Sequence, residues 1–308
     1  MSRLILLLLC VTAVPLLAQD PDPDHLRERT KNLPELSITR VELKASPPLI
    51  FEGISAVTMD KQSNVYVIHR PVDGDPIVVL DRQGKVLRSW GKGMFKIPHG
   101  IRVDPDGNVW TADANTSMVY KFTAQGRKLL EISVGDVPDP TRDFCGATDI
   151  AFAPNGRVFV ADGYCNARVI EYDSTGRKVR QWGRAGTGPG EFNVVHAIVI
   201  GPQGNLYVAD RENGRVQWFD LDGRFLGQWK FGGQLFNVAF NTAGEMYVST
   251  HPKGISLDED FSVVKVDPAT GIMLGRVLVR SHELAIGPDG SLYPATRNGQ
   301  LLVLRPRR

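Results

Sequence analysis

The 308-residue chain carries almost no excess charge: 36 lysines and arginines stand against 34 aspartates and glutamates, a formal +2. A nucleic-acid partner normally needs a concentrated basic face, so this balance argues against one. No low-complexity block and no long run of like charge interrupts the chain. Cysteine is scarce, at Cys10, Cys145 and Cys165 only. After the first residues, no apolar stretch approaches the roughly 20 residues that a membrane helix needs.

The one long apolar run is N-terminal. Residues 4–17 follow Arg3, and Ala18 precedes a candidate cleavage point. This is the pattern of a secretory signal peptide over residues 1–18. It predicts a secreted or periplasmic protein, off the membrane once the signal is removed. The acidic, proline-containing stretch at 19–35 reads as a solvated linker. Cys145 and Cys165 then remain. An exported compartment permits a disulfide between them, with two buried thiols as the alternative.

What the chain does have is a repeat of about 45 residues, the signature of a repeat architecture. Each unit reads as an apolar alternation, a D/P-x-x-G turn, a run of the type NVYVAD, a third run, and a D-x-x-G turn into a fourth. IRVDPDGNVWTAD, IAFAPNGRVFVAD and IVIGPQGNLYVAD are clear copies. Short β-rich runs between Gly/Asp/Pro turns are hairpins. Four antiparallel strands per repeat make one propeller blade. First-hairpin turns fall at Ser63, Gly107, Gly156, Gly204, Gly244 and Gly290, which predicts an all-β, six-bladed propeller over 36–308. The last repeat supplies only three strands. SITRVELKA, near residues 37–45, is expected to complete it as the outer strand and so close the ring.

Three histidines share one register of this repeat. His99, His196 and His282 each lie eight residues before a turn glycine, in blades two, four and six. Alternate blades of six are related by about 120° in the propeller geometry, so three imidazoles converge on one axis. Three histidines with an open fourth position are a known way to hold catalytic zinc. At the same register the other blades carry Ser55, Thr148 and Phe236, none a good zinc ligand. His25, His69 and His251 lack the register and default to surface or packing roles. A hairpin returns residues seven or eight after the turn to the same mouth. Arg70, Tyr164 and Arg211 occupy those positions and are candidates for substrate binding and proton transfer.

The repeat with N-x-R, as in ADGYCNAR and ADRENGR, looks like the NHL repeat. With HR (69–70), PHG around His99, FC-x-x-TD (144–149) and PGEF-x-x-x-H up to His196, the chain resembles the peptidyl-α-hydroxyglycine α-amidating lyases over about residues 50–306. The resemblance implies one zinc on His99, His196 and His282, with Tyr164 as base and Arg70 and Arg211 binding the substrate. It implies a structural calcium in the central channel, on the carbonyls of Val57 and Ile101 and the carboxylate of Glu283. It also implies a Cys145–Cys165 pair. The substrate it implies is a peptide or small molecule ending in α-hydroxyglycine, cleaved at its C–N bond by a monomeric enzyme.

The chain departs from the family in three places. The family's second disulfide falls on Tyr207 and Trp218. Its aspartate after the third histidine is Glu283, and Arg-Ser stands before His282 where the family has Met-Pro. Two other classes fit a propeller of this kind: a secreted NHL scaffold that binds protein partners, and a lactonase-like metallohydrolase.

Overall fold

The computed structural model describes residues 26–135 and 142–307. The expected signal peptide, the first part of the expected linker and His25 lie outside the described residues. Six four-stranded antiparallel sheets follow one another along the chain. Blade two shows the pattern, with strands Pro98–Val103, Val109–Asp113, Met118–Phe122 and Lys128–Ser133 ordered from the axis outward. The innermost strands of successive blades touch, and those of blades one and six touch each other, so the ring is closed.

Closure comes from the two ends of the chain. Ile38–Glu42 pairs antiparallel with Leu302–Pro306, with Val41 opposite Val303, and becomes the outer strand of blade six. This is the strand expected from SITRVELKA. It removes an open edge that would otherwise template aggregation.

The turn positions behave as their residues require. Gly107, Gly156, Gly204, Gly244 and Gly290 all have φ between 79° and 85°. Such left-handed backbone is cheap only for glycine. Ser63 takes the same conformation in blade one at φ 64°, where Asp60 Oδ1 accepts from the backbone N–H groups of Gln62 and Asn64. Between blades, an indole often covers a turn glycine. A Cβ on Gly126 of blade two would lie 2.8 Å from Trp90 of blade one, so only glycine fits there.

Two features depart from the sequence reading or qualify it. Residues 26–31, expected within a solvated linker, form the short helix Leu26–Lys31. Leu26 is buried, and Arg29 donates to the carbonyl of Phe231 at 3.0 Å. One large apolar side chain at a gap between strands outweighs the polar composition around it. Tyr207 and Trp218, where the family has a second disulfide, are directly opposite each other on neighbouring strands and stack at 6.1 Å. Trp229 adds a third ring 4.0 Å from Trp218. Aromatic stacking therefore ties these strands where a covalent link is absent.

Candidate metal centre

His99, His196 and His282 meet on the axis as a nearly equilateral triangle. Their ring centroids are 5.0, 4.7 and 4.8 Å apart. One ligand nitrogen from each lies within 4.8 Å of the others, and all three residues are buried. The local backbone explains how they get there. At His99 and at His196 the inner strand breaks register by one residue, leaving the histidine unpaired in a β-bulge. Thr148 and Phe236 occupy matching bulges in blades three and five. A bulge re-aims one side chain away from the alternation of the strand.

The odd blades supply the second half of the device. His99 Nδ1 donates to the carbonyl of Thr148 at 2.8 Å, His196 Nδ1 to Phe236 at 2.6 Å, and His282 Nδ1 to Ser55 at 2.8 Å. These are the three residues of the same register that carry no ligand side chain. A carbonyl only accepts, so each Nδ1 must hold the ring proton, and each Nε2 presents a lone pair. Such outer partners fix tautomer and orientation in metal-binding histidines. Gly100 makes one of these contacts possible, since a Cβ there would lie 2.5 Å from the Thr148 oxygen.

Tyr164 stands over the triangle. Its hydroxyl is 3.0 Å from His99 Nε2 and 3.3 Å from His196 Nε2, and Arg211 Nη1 donates to it at 3.4 Å. The disulfide Cys145–Cys165 anchors the next residue, and Phe144 packs on the phenol at 5.0 Å. Arg211 also pairs with Glu212 through Nε at 2.8 Å, so the rim ion pair and the site contact coexist. Arg70 is held by the Pro98 carbonyl at 3.2 Å and lies over the Phe144 ring at 5.5 Å. A cavity of about 350 Å³ opens above, lined by Tyr164, Arg211, Phe236, Phe261, Arg280 and His282 among others. His69 and His251 are buried against Phe51 and Phe261, in packing roles as expected.

The electrostatics suit a cation. Burial holds His99 and His196 well below the ordinary imidazole range, with the neighbouring His282 adding to the effect. Burial, then the charge of Arg70, brings His282 down to about 3. All three are therefore neutral near pH 7. Three Nε2 lone pairs face one phenolic hydrogen, a shortage of donors that a divalent cation would meet. Neutral imidazoles with their Nδ1 protons committed elsewhere are a good donor set for zinc. The base role that the resemblance implies for Tyr164 calls for a phenol that gives up its proton readily. Without a metal its burial raises its pKa, against the opposing pull of Arg211 and Arg70.

The calcium expected in the channel fits the structure poorly. Val57 and Ile101 lie fully buried on the inner strands of blades one and two. The carboxylate of Glu283, however, is already engaged. Arg102 Nη2 donates to Glu283 Oε2 at 3.1 Å and to Asp149 Oδ2 at 2.6 Å. Asn237 Nδ2 also donates to Glu283, and Ile198 N donates to Asp149 at 3.0 Å. Blades two to six thus join in one network around a guanidinium. Glu283 Oε1 and Asn237 Oδ1 accept no hydrogen bond, and Glu283 Oε1 lies 3.6 Å from His196 Nδ1. Neither Arg102 nor the carbonyl acceptors of the odd blades were foreseen from sequence. The register that contains Ser55, Thr148 and Phe236 was the available signal for the latter.

Solved structures share the fold. A streptogramin B lyase superposes with a TM-score of 0.62 at 12% identity, covering 88% of this chain and 98% of that one. A family model described as a 6-bladed beta-propeller matches residues 141–275, and an NHL repeat model matches residues 95–122. Fold and site define an NHL-type propeller with a buried three-histidine centre. Peptidyl-glycine alpha-amidating monooxygenase A of Xenopus laevis is 31% identical, over 78% of this chain and 30% of its own length. A probable peptidyl-alpha-hydroxyglycine alpha-amidating lyase of Caenorhabditis elegans is 31% identical, over 72% of this chain and 67% of its own. The chain belongs to the peptidyl-α-hydroxyglycine α-amidating lyases, a family of enzymes, and spans about a third of the monooxygenase relatives it matches.

Proposed function

We propose that the protein is a secreted or periplasmic zinc lyase that cleaves peptidyl- or N-acyl-α-hydroxyglycine into an amide and glyoxylate. The observation that carries this reading is the hydroxyl of Tyr164, set between His99 Nε2, His196 Nε2 and Arg211. Zinc on His99, His196 and His282 would supply Lewis-acid polarisation to the oxygen atoms of the substrate.

The chain's own residues do the rest. Arg70 and Arg211 bind the substrate carboxylate, for which a planar guanidinium is well shaped. Tyr164, as phenolate, takes the proton of the carbinol hydroxyl. The oxygen lone pair becomes the new C=O of glyoxylate as the C–N bond breaks. The electron pair of that bond goes to the amide nitrogen, which takes the proton back from Tyr164. Burial opposes the phenolate and the two arginines favour it. The disulfide at Cys165 and the ring of Phe144 keep Tyr164 from moving during the transfer.

The test is glyoxylate release from an N-acyl-α-hydroxyglycine by zinc-loaded protein, against the same protein after chelation. Release that tracks metal content supports the reading; none above the chelated control rejects it.

A further inference from the structure

The mouth of the cavity holds more positive charge than one substrate carboxylate needs. Arg142, Arg211, Arg280 and Arg297 line it, and no aspartate or glutamate does among the described residues. Among the described residues, Arg280 pairs with the highly exposed Asp258, and Arg142 donates to the disulfide sulfur of Cys165. The Arg280 guanidinium lies over Phe261 at 5.6 Å, as Arg211 lies over Phe236 at 5.3 Å. Stacking on a ring holds a guanidinium in place while leaving its N–H donors free. After burial, the charge of Arg297 is the next influence pulling Arg280 down, so these two cations repel across the mouth.

We propose that the acyl half of the substrate carries its own carboxylate, received by Arg280 and Arg297, with its carbon chain along Phe144, Phe236 and Phe261. This rests on the lyase reading of the site and narrows its substrate class. The unreactive glycine conjugates N-glutarylglycine and N-pentanoylglycine differ only in that terminal carboxylate, and calorimetry can compare their binding without turnover. N-glutarylglycine is expected to bind about tenfold tighter or more, as one or two charge-assisted hydrogen bonds would give. The preference should shrink with added salt and should largely disappear in Arg280→Met/Arg297→Gln. Equal binding of the two by the unaltered protein overturns the proposal. The lyase reading is judged separately, by glyoxylate release from N-pentanoyl-α-hydroxyglycine.

The channel network carries a second inference independently. Arg102 places a fixed positive charge between Asp149 and Glu283, both fully buried. Arg102 Nη2 lies 2.6 Å from Asp149 Oδ2 and 3.1 Å from Glu283 Oε2, so one guanidinium bridges both carboxylates. A divalent cation would have to enter beside that charge in a dry interior, where repulsion between like charges is large. The geometry points to Arg102 as a built-in replacement for the channel calcium of the family. Desalted protein should hold no calcium by elemental analysis, and its melting midpoint should be the same in calcium and in chelator. Arg102→Ala, which frees both carboxylates, should melt lower in chelator and recover with calcium. One retained calcium per unaltered chain, or a calcium-dependent midpoint, overturns the assignment. So does a variant that melts alike with and without the ion.

Discussion

His196 Nδ1 donates across 2.6 Å to the carbonyl of Phe236, from blade four to blade five. Phe236 occupies the histidine's own register one blade on, so a residue with no ligand side chain contributes through its backbone. The same hand-over joins His99 to Thr148 and His282 to Ser55. The odd blades orient what the even blades present.

Loss of one imidazole should therefore empty the centre. His196→Ala is expected to bind zinc at least tenfold more weakly by equilibrium dialysis and to lose glyoxylate release with it, since two imidazoles make a poor closed site for zinc. Retained zinc with retained turnover would remove His196 from the ligand set.

Tyr164→Phe separates metal from chemistry. It deletes one oxygen above the histidines and leaves the ring packed on Phe144. Zinc content should match the unaltered protein, while kcat falls by about 10²–10⁴, the usual worth of a positioned base. Turnover at the original rate would falsify the base assignment.

Gly100→Ala tests the carbonyl hand-over without touching a ligand. The added methyl meets the Thr148 oxygen at 2.5 Å and must push it from His99 Nδ1. Disturbing such an outer partner typically costs about 10–100-fold in metal affinity. The check is a competition titration against a chromophoric chelator, with circular dichroism to establish that the propeller is intact. Undiminished affinity would show that the contact does not orient His99.

The metal-free protein should lose stability in acid. His282 is near 3 in the folded chain against an ordinary value of 6.5. The folded state thus refuses a proton that the unfolded state accepts. Stability is highest above about pH 6.5 and falls as pH drops below it toward pH 3, by up to about 1.4 kcal/mol per pH unit for each such histidine. Urea midpoints between pH 7 and pH 5 measure this. His282→Asn should flatten the slope by about one proton; an unchanged slope would mean that His282 does not titrate in this way.

Propeller, blade count, closing strand and histidine alternation could all be read from the chain because each rests on local chemistry repeated six times. A turn glycine such as Gly204 must adopt positive φ, and counting from it locates His196. The Tyr164 placement followed from hairpin return. What escaped depends on contacts between blades. Arg102 looks like any surface arginine after a histidine until Asp149 and Glu283, from two other blades, close on it. The bulges at His99 and His196 leave no mark that hydrophobic alternation can show. The helix Leu26–Lys31 hides in a polar stretch because only Leu26 and Thr30 are buried.

The closing strand joins distant parts of the chain. Ile38–Glu42 pairs with Leu302–Pro306 in the last blade, and the strands of the other blades all lie between them in sequence. His282 belongs to that last blade, and its Nδ1 reaches back to Ser55 in the first. The third arm of the histidine triangle is therefore a contact across the seam of the ring. Ile38–Glu42, paired with Leu302–Pro306 in blade six and leading on in the chain to blade one, thus links the same two blades that the His282–Ser55 contact joins at the axis.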